Sequence, residues 1–190
     1  MSSIKNENIN LPNMLASFRI LLAPLMLIFL IYQDGCGFEN CPLNNLGWDK
    51  SWFNYFAGLI FVVASVTDFF DGYIARSWNQ MTKLGGILDP LADKMLILAG
   101  FIGLIVLDRA NAFAVFLILS REFFITGLRV VAVAEGKSVA STMAGKVKTV
   151  VQMIAIGFLI MQWPFGNELL WLAVFFTLYS GYEYVRDYMK

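Results

Sequence analysis

The stretch DFFDGYIARSWNQMTKLGGILDPLAD, Asp68 to Asp93, carries four carboxylates through a sequence that is otherwise strongly apolar. On a helix, Asp68 and Asp71 are three residues apart and share a face, and Asp89 and Asp93, four apart, share another. Carboxylates are costly in an apolar helix and persist where they face a cavity, a partner or a metal. Two helices are therefore expected to bring the four acids together around divalent cations.

Outward from that stretch the chain is apolar. Of its 190 residues 58% are hydrophobic and only 15% charged, a smaller charged share than a soluble domain of this length carries. Mean hydropathy is +0.66. The apolar residues fall in runs such as Leu21–Ile31, Phe56–Val66, Met95–Leu107 and Val150–Met161. With their flanks several reach the roughly 20 residues that span a bilayer. The expected fold is an all-α integral membrane protein, a six-helix transmembrane bundle forming a single domain over residues 1–190.

In chain order, Asn10-Leu-Pro12-Asn13 signals a helix start, with Met14–Arg19 a possible interfacial opening and Leu15–Tyr32 the first span, retained and not a cleaved signal. Pro24 is expected to kink it. A loop from Asp34 to Trp52 holds Cys36 and Cys41, which could form a clip or remain two thiols. The second span covers about Phe53–Trp78, and the third starts near Gly85 with Pro90 tolerated in its first turns. Ala112–Ala134 is the fourth, about Thr149–Trp163 the fifth, and about Glu168–Tyr184 the sixth.

Lys and Arg total 14, balancing 14 Asp and Glu, so net charge points to no partner. Their placement is more telling. Lys5, Arg19, Arg76, Lys83, Lys137, Lys146, Lys148, Arg186 and Lys190 fall at one end of the bundle, and the opposite loops hold Lys50 and Arg109. By the positive-inside rule both termini and the aspartates belong to the cytoplasmic side. Arg19 reads as an interfacial anchor.

The chain has no His, which excludes imidazole metal ligands and imidazole bases. Carboxylate oxygens suit Mg²⁺, Mn²⁺ or Ca²⁺, and two such ions about 4 Å apart form a clamp for phosphoryl transfer. Gly72 and Gly85 remove bulk where a phosphate or a base could approach the backbone. Arg121 and Arg129, eight apart in the fourth span, share a side, and Lys146 and Lys148 stand at the mouth of the fifth. An arginine in a span marks a substrate path or a partnered charge, and guanidinium matches phosphate in a bidentate way. Together these residues suggest a pocket for a phosphate-bearing substrate. The competing reading of the acids is an ion-pair network with Arg76, Lys83 and Lys94.

The pattern Asp68-x2-Asp71-Gly72-x2-Ala75-Arg76-x8-Gly85-x3-Asp89-x3-Asp93 resembles the CDP-alcohol phosphotransferase signature at every defined position. Residues 10–24, Ser120-Arg121-Glu122 through Arg129, and Gly145-Lys146-x-Lys148-Thr149-x2-Gln152-Met153 are similar to the phosphatidylglycerolphosphate synthases within that family. The resemblance leaves out the Cys-containing loop and the sixth span. It implies phosphatidyl transfer from CDP-diacylglycerol to sn-glycerol 3-phosphate with release of CMP, in a homodimeric, multi-pass protein of a bacterial cell membrane. It implies Mg²⁺ or Mn²⁺, as two ions, held by Asp68, Asp71, Asp89 and Asp93. Asp93 would also take the proton of the attacking hydroxyl. Asp68, Gly72, Ala75, Arg76 and Gly85 would bind the CDP part, and Arg121, Arg129, Lys146 and Lys148 the acceptor phosphate.

A carboxylate beside two dications is a weak base alone, so metal activation of the hydroxyl must share the work. The same motif could serve serine or inositol phosphate as acceptor, and the basic set favours a phosphorylated one. A cation or proton transporter is the reading from another class. Transporters often show internal repeats and midplane sites, whereas here the acids gather toward one face and no repeat is visible.

Overall fold

The computed structural model describes residues 11–32, 50–77, 85–134 and 143–189, with side chains described over 14–32, 51–67, 91–132 and 143–189. Among these residues the structure is all-helical: α1 (Leu11–Ile31), α2 (Lys50–Ser77), α3 (Gly85–Val106), α4 (Ala112–Ala134), α5 (Met143–Ile160) and α6 (Gly166–Tyr188). They form two compact units, Met1–Leu107 and Asp108–Lys190. The loop with Cys36 and Cys41 lies outside the described residues.

In the first unit α1 packs against both α2 and α3, and α2 touches α3. Buried in α1 are Ala16, Arg19, Ala23, Met26 and Leu30, a stripe at alternating steps of three and four, with Leu22 beside it. Phe53, Ala57, Phe61 and Ala64 make the matching stripe on α2. Gly103 of α3 lies tight against Leu30 of α1. A Cβ there would stand 2.7 Å from Leu30 Cδ1 and 3.0 Å from Leu30 Cβ, and Leu30 is fully buried. Gly103→Val is therefore expected to destabilise the first unit by about 1–3 kcal/mol through overpacking. Thermal unfolding in detergent checks this, and an unchanged midpoint would mean that α1 and α3 can separate freely.

In the second unit α6 packs against both α5 and α4. Asn111 caps α4, its Oδ1 accepting from the backbone N–H groups of Phe113 (2.9 Å) and Ala114 (3.1 Å). The preceding turn is tied to the end of α5 by Arg109, whose Nη1 donates to the carbonyl of Ile160 at 3.2 Å. A cation at a helix C-terminus complements its dipole. The α5–α6 turn bends sharply, with Gln162 and Phe165 both at positive φ.

Several sequence expectations change here. The chain from Met14 to Arg19 belongs to one continuous α1 that starts at Leu11 and runs through Pro24, with no separate interfacial piece. Arg19 is fully buried, so it is not an interfacial anchor. The reason is register: it falls on the same stripe as Ala16 and Ala23. The fifth helix starts at Met143, six residues before the expected Thr149, and takes Lys146 and Lys148 into its first turns. Lysine is a good helix former, and polarity alone does not end a helix. The fourth helix has the expected bounds.

Met14–Ile31 and Met143–Ile160 are each long and apolar enough to cross a membrane. In α4 the apolar run is interrupted by Arg121, Glu122 and Arg129. Large apolar side chains nevertheless line the outside of these helices, among them Phe116, Phe123 and Phe124 on α4 and Trp171, Phe175 and Tyr179 on α6.

Candidate functional site

Two sets of polar residues stand out, one in each unit. In the first, α2 carries Asp68, Asp71, Gly72, Ala75 and Arg76 in its last turns, and α3 opens at Gly85 and carries Asp89 and Asp93 within its first nine residues. Both stretches are helical, so the i,i+3 and i,i+4 spacings place each aspartate pair on one face of its helix. The side chains of Asp68, Asp71, Arg76 and Asp89, and the surroundings of Gly72, Ala75 and Gly85, lie outside the described residues. Asp93 is half-buried. The same unit encloses Arg19 of α1, a guanidinium held entirely away from solvent.

In the second unit the structure joins three helices through charge. Glu122 of α4 accepts from Lys148 Nζ of α5, 26 residues away, and stands 3.5 Å from Arg121 Nη1. Arg121 Nη2 in turn donates to Ser180 Oγ of α6 at 2.9 Å. One turn above Lys148, the buried Gln152 donates through Nε2 to Thr177 Oγ1 of α6 at 2.8 Å. Farther along α4, the Arg129 guanidinium lies 5.9 Å from the ring centroid of Tyr184, within cation–π range. Arg121, Lys148 and Arg129 are thus linked through α6 and Glu122. Lys146 is exposed on α5, two residues and more than half a helical turn from Lys148.

The burial matters energetically. Removing one partner of a buried pair leaves an uncompensated charge and costs about 3–5 kcal/mol. Arg121 and Lys148 keep only about a tenth of their side-chain surface exposed. Such cations are retained where an anion repays their desolvation, and Glu122 supplies part of that repayment.

The donor chemistry of the first set fits divalent cations. It offers carboxylate oxygens from two adjoining helices in contact, with no nitrogen or sulfur ligand in its motif. The sequence model of the CDP-alcohol phosphatidyltransferase family matches residues 9–179, which takes in the aspartate motif, the basic residues of α4 and α5, helices α1 to α5 and α6 as far as Tyr179. The chain belongs to the CDP-alcohol phosphatidyltransferase family.

Relatives of this CDP-alcohol phosphatidyltransferase family member are similar along nearly their whole length. A CDP-diacylglycerol–glycerol-3-phosphate 3-phosphatidyltransferase of Bacillus subtilis (strain 168) is 41% identical over 188 residues, covering 92% of this chain and 93% of its own. Proteins of the same name from Rickettsia felis (37% identical, 95% and 96% covered) and Shigella flexneri (36%, 93% and 93%) are also similar.

Sequence reading passed over several residues that the structure brings forward. In the sequence Glu122 stands out only as a neighbour of Arg121, although an acid inside a span needs a partner. Ser180 and Gly181 are a small pair in an apolar helix, a signal of close helix approach that could have been weighed. Arg19 gave its signal as a lone cation between Ala16 and Ala23 in an apolar run.

Proposed function

We propose that this protein is an enzyme that transfers the phosphatidyl group of CDP-diacylglycerol to sn-glycerol 3-phosphate, giving phosphatidylglycerol phosphate and CMP. The observation that carries this reading is the 41% identity, over more than nine-tenths of both chains, to a relative named for that reaction. The basic set of α4 and α5, with Lys148 buried and Arg121 half-buried, supports it independently, because it suits an acceptor that itself carries a phosphate.

In this reading residues 1–190 act as a single catalytic domain. Asp68, Asp71, Asp89 and Asp93 would hold divalent cations, Mg²⁺ or Mn²⁺, whose chemistry is to offset pyrophosphate charge and to acidify the acceptor hydroxyl. Asp68, Gly72, Ala75, Arg76 and Gly85 line the CDP part, where the two glycines let its groups approach the backbone. Arg121, Arg129, Lys146 and Lys148 hold the acceptor by its phosphate. The acceptor hydroxyl oxygen attacks the β-phosphorus of CDP-diacylglycerol, and its proton passes to the Asp93 carboxylate. The bond from that phosphorus to the oxygen bridging it to CMP breaks, and the electron pair leaves with CMP.

The protein acts as a multi-pass protein of the bacterial inner membrane, with six spans and with its termini and site on the cytoplasmic side. Supporting this are the distribution of Lys and Arg, the apolar helices α1 and α5 and the exposed aromatic faces of α4 and α6. There a soluble acceptor and a lipid donor are both within reach. It works as a homodimer, a reading that rests on the family resemblance.

Purified protein in mixed micelles, given CDP-diacylglycerol, radiolabelled glycerol 3-phosphate and Mg²⁺, is expected to form lipid-soluble product. Serine and inositol phosphate are expected to give less than about a hundredth of that rate, because a site built around buried polar groups rejects a poorly matched substrate. Chelation of divalent ions is expected to abolish turnover, and Mg²⁺ to restore it. Absence of product together with cation uptake into liposomes would instead assign the protein to transport.

A further inference from the structure

Arg121 and Arg129 are eight residues apart on α4, a rise of about 12 Å. Their counterparts on α6 are much closer together. Arg121 donates to Ser180 and lies against Gly181, and Arg129 lies over the ring of Tyr184. From Ser180 to Tyr184 the helix rises only about 6 Å. The face that carries Ser180, Gly181 and Tyr184 also carries Thr177, which holds Gln152 of α5. One stripe of α6 thereby meets side chains that set out from well-separated points on α4.

Gly181 sets how closely the first of these can approach. A Cβ at Gly181 would stand 3.0 Å from Arg121 Nε and 3.1 Å from its Cγ. The neighbour it meets is a flexible side chain, so a methyl group there moves the guanidinium and leaves the helices in place. Two donors remain unspent, one on this stripe and one packed against it. The Nε of Arg121 and the hydroxyl of Tyr184 are buried and have no hydrogen-bond partner among the described residues, and Tyr184 is only 3% exposed. Buried donors are nearly always satisfied, so a pair left open points to a ligand that accepts.

We propose that α6 is the positioning wall of the acceptor-phosphate site. Ser180 and Gly181 set the guanidinium of Arg121, and Tyr184 seats Arg129 on its ring while its hydroxyl donates to the same phosphate. This rests on the reading that Arg121 and Arg129 bind the phosphate of the acceptor. It extends that site to a helix that the sequence motif does not reach.

The test is steady-state kinetics of the full chain in mixed micelles, with glycerol 3-phosphate and CDP-diacylglycerol varied separately. Gly181→Ala is expected to raise KM for glycerol 3-phosphate about tenfold, the order of one lost charge-assisted hydrogen bond. KM for CDP-diacylglycerol should stay within about threefold, as expected for a loss confined to acceptor binding. Combined with Arg121→Ala, Gly181→Ala should add nothing further, since the two act through one guanidinium. Tyr184→Phe removes a hydroxyl with no described protein partner, so it should keep the thermal midpoint while raising the acceptor KM several-fold. Ser180→Ala, which only deletes an oxygen, should follow Gly181→Ala in direction.

If Arg121→Ala raises the acceptor KM but Gly181→Ala and Tyr184→Phe leave it unchanged, the role of α6 is overturned and the acceptor site stands. If the effect of Gly181→Ala persists at full size in the Arg121→Ala background, it does not act through Arg121 and the proposal fails. If Arg121→Ala itself leaves the acceptor KM unchanged, the underlying reading fails and takes the proposal with it.

Discussion

Asp93→Asn is expected to lower kcat by about a thousandfold or more while the protein remains folded. The amide has the shape of the carboxylate but cannot take a proton at neutral pH, and it is a poorer ligand for a hard cation. Both deficits fall on the chemical step, so kcat should drop while binding of the CDP-lipid is largely kept. Asp93 is half-buried on α3, two residues after the exposed Leu91 and three before the buried Leu96. An isosteric change there leaves the packing around Ala92 and Leu96 unaltered. The checks are turnover with saturating substrates, a CDP-lipid binding isotherm and a thermal melt. Full activity in the variant would remove Asp93 from the mechanism.

Arg121→Ala is expected to raise KM for glycerol 3-phosphate by roughly a hundredfold, the size of effect reached when a buried charge-assisted contact to phosphate is lost. The effect should be specific. Arg121 lies in the second unit with Ser180 and Glu122, while the aspartate motif lies in the first. KM for CDP-diacylglycerol should therefore move by less than about threefold. Glu122 keeps Lys148 as its partner in the variant, so the loss of Arg121 does not strand a buried carboxylate. Lys146→Ala should raise the acceptor KM less, because Lys146 is exposed and its charge is screened. Equal changes for both substrates would refute this division of labour between the two polar sets.

The two predictions differ in how much of their basis is visible in the sequence. Spacing marks Asp93 as one of four acids, and its role as the base is what the family resemblance implies. Four acids at steps of three and four on two successive helices define a local chemical unit, because helical periodicity fixes which residues share a face. The pairing of Arg121 was visible only as a choice between a substrate anion and a nearby acid. The structure shows contacts to Glu122 and to Ser180, 59 residues on, and no periodicity within α4 could select that partner. The onset of α5 at Met143 lies six residues before the expected Thr149, since a helix accepts Lys146 and Lys148 in its first turns.

The sequence by itself determined the helical character of the chain, most helix bounds to within a few residues, the aspartate motif and the family to which the motif belongs. Each of these depends on composition or on residues a few positions apart, where helical geometry is the same in any protein. Tertiary structure alone decided that Arg19 is buried, that Glu122 holds Lys148, and that α6 stands against both α4 and α5 with Ser180, Gly181 and Tyr184 toward the arginines. Those facts depend on how each helix is rotated and shifted against its neighbours, and that is settled by side-chain packing across the interface. The stretch from Asp68 to Asp93 announces the chemistry; the packing of α6 selects where the basic side chains can stand.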